Sequence, residues 1–98
     1  GNSGQVLYSA SKAALSGAVK SWAREYGRNN LRFNVVAPAL IEGTGMCTEL
    51  HEKQRAEWQQ RCPLGRLGTV EDVADAVIGI ARCRFISGQT INVDGGMW

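Results

Sequence analysis

Cysteine, proline, histidine and aromatic residues are all scarce in this 98-residue chain, and neither sign of charge dominates. The three cysteines, Cys47, Cys62 and Cys83, are odd in number and hold no Cys-x-x-Cys pair. That set suits neither a disulfide framework nor a zinc site. We therefore expect reduced, structural thiols, no metal, and an intracellular setting, whether cytoplasm or organelle matrix. A formal net charge of +2, with no run of basic residues, gives no footprint of a nucleic-acid binder or of a protein held on an anionic membrane. The longest apolar run, Val35 to Ile41, is broken by Pro38 and falls far short of the roughly 20 residues that span a bilayer. No targeting pattern is legible in the polar first residues. Internal repeats, linkers and low-complexity segments are missing as well.

What is present is an ordinary globular composition, 44% hydrophobic and 20% charged. Leu15, Ala18, Val19, Trp22 and Tyr26 recur at spacings of three and four, which predicts a helix over 8–27. Its first half is crowded with small residues from Ala10 to Gly17, suited to close approach by a cofactor or another helix. It should end at Gly27–Asn30, where Gly or Asn takes a left-handed cap. Leu31 to Ala37, stopped by Pro38, reads as a buried strand. Residues 42–68 read as a mobile flap, with a polar helix between Glu49 and Arg61. Thr69 with Asp72 three residues on is an acidic capping box, opening a helix whose apolar face is Val70, Val73, Ala74, Val77, Ile78 and Ala81. Gln89 to Val93 alternates and reads as a last strand. This order of helix, strand, flap, helix and strand is α/β, with parallel strands expected across the crossover. Two parallel strands lack the neighbours and cover such a sheet needs, so a further part is expected upstream.

The sharpest local pattern is Tyr8-Ser9-Ala10-Ser11-Lys12. Positions i and i+4 share a helix face, so a phenol and an ammonium meet at one spot. A cation there stabilises a phenolate and equips the tyrosine to exchange a proton with a carbonyl or alcohol oxygen. By itself the spacing is common, and it describes equally well a helix start with a solvated lysine.

Further along, Arg32-Phe33-Asn34-Val35-Val36-Ala37-Pro38, Pro63-Leu64-Gly65-Arg66-Leu67-Gly68 with Val70 to Ala74, and Ser87-Gly88-Gln89 through Asp94-Gly95-Gly96 follow in order. With the Tyr8–Lys12 helix, these four motifs make the chain resemble the classical short-chain dehydrogenase/reductases from Gly4 to Trp98. Within them its nearest look is to the 3-oxoacyl-[acyl-carrier-protein] reductases of fatty acid biosynthesis.

The resemblance implies that residues 1–98 are the C-terminal catalytic and dimerisation part of a single Rossmann-like, doubly wound parallel domain, without its dinucleotide-binding half. It implies an NAD(P)-dependent oxidoreductase moving hydride between nicotinamide and a carbonyl, alcohol or acyl thioester substrate, with NADP ahead of NAD. Tyr8 would donate the proton, and Lys12 would hold the nicotinamide ribose. Pro38, Ala39, Ile41 and Thr44 would line the nicotinamide, and the flap would close over substrate. A homo-oligomer, dimer or tetramer, would form through helices 8–27 and 70–83 and the last strand.

Departures temper this. The family's catalytic serine and asparagine and its glycine-rich phosphate turn would fall before Gly1, so we expect the chain alone to be inactive. The alternative is a non-catalytic remnant that packs on a partner chain. Ala39 replaces the family's usual glycine, Gly43 resembles a one-residue insertion before Thr44, and the Ala81–Ile86 connection is short. His51 reads as solvated.

Overall fold

The structure, a computed structural model, describes residues 3–39, 41–43 and 52–97, with side chains from Val6 onward. Helix α1 spans Ser3–Tyr26, strand β1 Val35–Pro38, helix α2 Glu52–Arg61, helix α3 Val70–Arg82 and strand β2 Thr90–Val93. Two compact units emerge: residues 1–35 with 85–91, and residues 36–84 with 92–98. Both strands contribute to each unit.

In the first unit α1 starts five residues before the expected position and ends where expected. A short 3-10 turn, Gly27–Asn29, closes it, and Asn30 at φ 61° returns its N–H to the Gly27 carbonyl at 2.9 Å. Asn tolerates this left-handed conformation because its short polar side chain adds little clash. The inner face of α1 lies against the turn before β2. Val19 is buried, Ser16 Oγ and Thr90 Oγ1 are 2.6 Å apart, and Lys20 Nζ donates to the Gly88 carbonyl at 3.1 Å. Lys20 is thus a packing residue with a polar tip. Gly88 sits at φ 75°, and a Cβ there would come within 3.3 Å of the Ala23 side chain. Trp22 and Tyr26 stack at tilted angles on Phe33, with ring centroids 5.8 and 6.0 Å apart.

The first strand is shorter than the predicted 31–37. Residues 31–34 form no regular strand, and side chains take several of the bonds a ladder would use. The Phe33 N–H goes to Ser87 Oγ, Asn34 Nδ2 donates to the Ile86 carbonyl, and Asn34 Oδ1 accepts from the Gln89 N–H. Local polar side chains compete in this way with regular pairing. The pairing of β1 with β2 is parallel: Val35 N bonds Gln89 O and Ala39 N bonds Val93 O, the same offset at both ends. Alternate residues serve the ladder, so the position-38 nitrogen points away from β2. Pro38, with no N–H, ends the strand there without losing a bond.

In the second unit, Ile41 forms a parallel bridge with Gly68 through the Glu42 N–H and Gly68 O, 2.9 Å. Helix α2 is polar and has no buried residue; Trp58 is half-buried, with the Arg61 guanidinium 5.5 Å from its ring centre, and Arg55 reaches Glu42 at 3.4 Å. Its foot is pinned to the turn after β2. The buried Cys62 thiol lies 3.7 Å from both the Asp94 and Gly95 carbonyl oxygens, and Leu64 N donates to Gly95 O at 3.2 Å. The expectation of structural thiols therefore fits Cys62, whereas Cys83 is exposed and Cys47 lies outside the described residues.

Helix α3 begins as predicted. Thr69 Oγ1 accepts from Asp72 N at 3.1 Å, and the Asp72 carboxylate accepts from Thr69 N at 2.8 Å, a reciprocal capping box. Its amphipathic face is real but uncovered: Val70, Val77 and Ile78 are exposed, and no residue of the helix is buried. Among the described residues the buried core is Val19 and Val35 in the first unit, and Ile41, Cys62 and Leu67 in the second. Large exposed side chains on both long helices outnumber it. No helix is long and apolar enough to cross a membrane among the described residues.

Candidate active site

Tyr8 and Lys12 stand one turn apart on the same face of α1. The Tyr8 side chain is 56% exposed and Lys12 is half-buried. Ser11 lies beside them, and Leu15, also exposed, continues the same stripe of the helix. A phenol and an ammonium sharing one helix face are groups suited to donating a proton and stabilising the anion left behind.

Pro38, Ala39 and Ile41 lie together at the carboxyl end of β1, in the second unit. Pro38 is exposed, Ala39 is half-buried and the Ile41 side chain is buried. The bridge to Gly68 runs through the Glu42 nitrogen. The end of a parallel strand is the usual location for a nucleotide in an open α/β sheet. Thr44 and His51 lie outside the described residues. The residues present thus fit the nicotinamide end of a dinucleotide. Among the described residues there is no phosphate cradle beside them; Gly43, at φ 82°, sits in the turn after Ile41.

Two features escaped sequence reasoning. The first is a second role for Asp72. Beyond capping α3, its carboxylate takes a two-pronged ion pair from Arg66, at 2.7 and 3.2 Å. The Arg66 guanidinium, and then the Thr69 N–H, hold its carboxyl well below the usual carboxylate range. The Arg-x5-Asp spacing carried no recognised signal, because a loop turn and not a helix brings the two together. The second is an apolar cavity of about 180 Å³ in the second unit. Its walls come from four separate segments, so no local pattern announces it.

Sequence comparison identifies the family. The family model described as Enoyl-(Acyl carrier protein) reductase matches residues 1–98. A 3-oxoacyl-[acyl-carrier-protein] reductase FabG from Thermotoga maritima is 44% identical over 99% of this chain and 40% of its own length. The corresponding proteins of Rickettsia felis, at 46% over 99% of this chain and 41% of theirs, and of Escherichia coli, at 44% over 100% and 41%, are similar. The chain therefore spans about 40% of the length of these curated relatives. With its whole length matched by the family model and by these relatives, the chain belongs to the short-chain dehydrogenase/reductase family.

Proposed function

We propose that this chain is the catalytic and assembly part of an NAD(P)-dependent reductase of 3-oxoacyl thioesters carried on an acyl carrier protein. The observation that carries the reading is the Tyr8–Lys12 pair, one turn apart on an open helix surface. A bound nicotinamide would supply the hydride. Tyr8 would donate its phenolic proton to the ketone oxygen, which makes the product the 3-hydroxyacyl thioester. Lys12 would stabilise the phenolate that remains and help hold the ribose. On the family resemblance, Pro38, Ala39 and Ile41 would be among the residues that hold the nicotinamide.

NADPH is the favoured donor in this reading, on the strength of the resemblance. The exposed faces of α1 and α3 support a homo-oligomer. The family description names an enoyl reduction and the relatives' names a 3-oxoacyl reduction. Identity of 44% across the whole chain favours the ketone. Full-length protein, mixed with a 3-oxobutanoyl thioester and reduced nicotinamide, should consume the nicotinamide and form the 3-hydroxy product. Turnover of a 2-enoyl thioester with none of the ketone contradicts the reading.

A further inference from the structure

Ser16 ties α1 to the start of β2 one turn beyond Lys12. Positions 8, 12 and 16 form a single i, i+4 row that runs from the exposed stripe of α1 to its packed side. Tyr8 is exposed, Lys12 and Ser16 are half-buried, and Val19, three residues further on, is buried. At Ser16 the row meets β2, where Ser16 Oγ and Thr90 Oγ1 share a hydrogen bond of 2.6 Å. Gly88 permits that approach by having no side chain. A Cβ there would stand 3.3 Å from the Ala23 Cβ and 3.7 Å from the Lys20 Cα. All of these residues belong to the first unit.

The apolar packing of Val19 is non-directional and allows a helix to turn or slide a little. A short hydrogen bond between two part-buried hydroxyls is directional and does not. Thr90 is β-branched, so its hydroxyl is held stiffly at χ1. Lys20 adds a second tie, Nζ to the Gly88 carbonyl at 3.1 Å, but through a long flexible stem. The hydroxyl pair therefore sets the rotation and axial position of α1 against β2. Helix geometry carries that setting onward, since Lys12 and Tyr8 stand about 6 and 12 Å along the axis from Ser16. We propose that Ser16 and Thr90 are positioning residues for the reaction, whose bond aims the Tyr8 phenol at the ketone oxygen. This rests on the assignment of Tyr8 as proton donor above. The relation of Tyr8 to Lys12 is fixed within the helix, so the pair governs where the donor stands and not its acidity.

The test is steady-state reduction of a 3-oxobutanoyl thioester by the full-length protein carrying Ser16→Ala, Thr90→Val, both, or Thr90→Ser, beside wild type and Tyr8→Phe. Rates are referred to cofactor sites counted by stoichiometric titration with reduced nicotinamide, so unfolded protein does not enter. Alanine suits a helix and valine a strand, so each change removes a hydroxyl at little risk to folding. An interaction felt only in the transition state lowers kcat and kcat/KM together. Ser16→Ala and Thr90→Val should each lower kcat per site by about 10-fold or more, where a misplacement of about 1 Å costs about 100-fold. The thioester KM should stay close to that of wild type. Thr90→Ser keeps the hydroxyl and should recover most of the rate. The double variant should be no slower than either single one, because both remove the same bond. Wild-type kcat per site in Ser16→Ala and Thr90→Val overturns the proposal, as does a Thr90→Ser protein as slow as Thr90→Val, or losses that multiply in the double variant. With Tyr8→Phe inactive, any of these leaves the proton-donor assignment intact. Should wild type reduce no ketone, or Tyr8→Phe match it, that assignment fails and the positioning role falls with it.

Discussion

Tyr8 and Lys12 need nothing but a helix to meet, because 3.6 residues per turn place i and i+4 on one face. Gly95 makes the opposite kind of demand, since it depends on a distant segment. At φ 63° it occupies backbone space that side chains rarely enter, and the Cys62 sulfur stands where its Cβ would go. Gly95→Ala in the full-length protein should destabilise by about 1–3 kcal/mol, by strain and overpacking together. Adding Cys62→Ala should return part of that loss, because it removes the clash but not the backbone strain. A double-mutant cycle from denaturant unfolding reads the coupling; strictly additive effects contradict it. Tyr8 and Lys12 were legible in the sequence, since their relation is local. The Cys62–Gly95 lock was not, because only the fold brings residue 62 against residue 95.

Among the elements, α3 shows most plainly how a helix start is written. Thr69 and Asp72 satisfy each other's backbone donors, and Arg66 then neutralises the carboxylate from outside. Thr69→Ala should cost about 1 kcal/mol in thermal or denaturant unfolding. The Asp72 carboxyl is held below its ordinary value in the folded state, so its contribution has a defined sign with pH. That contribution is complete above the unfolded carboxylate value of about 4 and disappears as pH falls through the folded value. In an acid titration of stability, Asp72→Asn should flatten the fall below about pH 4 relative to wild type. Parallel titration curves for the two proteins contradict the assignment.

The helices were legible because their signals are local: period, capping box and left-handed cap. The start of α1 was missed by five residues, since its apolar period sets in only later along the helix. Strand β1 was overestimated because Ser87, Asn34 and Gly88 fix residues 33 and 34 by side-chain and turn bonds that no strand propensity records.

At the scale of the whole molecule, cover is short. Only five large apolar or thiol side chains are buried among the described residues, while Leu15, Trp22, Val70, Val77 and Ile78 stand open on α1 and α3. The two-stranded sheet has no further strand among the described residues. A chain that spans about 40% of its relatives, with apolar helix faces of this kind, points to cover from elsewhere. We expect the isolated 98-residue chain to be inactive, and oligomeric or poorly folded in sedimentation and thermal unfolding. A sharp monomeric transition contradicts this. In the full-length protein, Val77→Glu should weaken the oligomer, read as a lower sedimenting mass at the same concentration. An unchanged mass removes α3 from the interface.

The measurement that tests the central claim most directly is steady-state turnover of full-length Tyr8→Phe beside wild type, with cofactor affinity measured on both. Loss of a positioned proton donor typically costs about 100- to 10,000-fold in rate. The account predicts a loss of kcat in that range, with binding of reduced nicotinamide changed by no more than a few-fold. A Tyr8→Phe protein that turns over at close to the wild-type rate contradicts it.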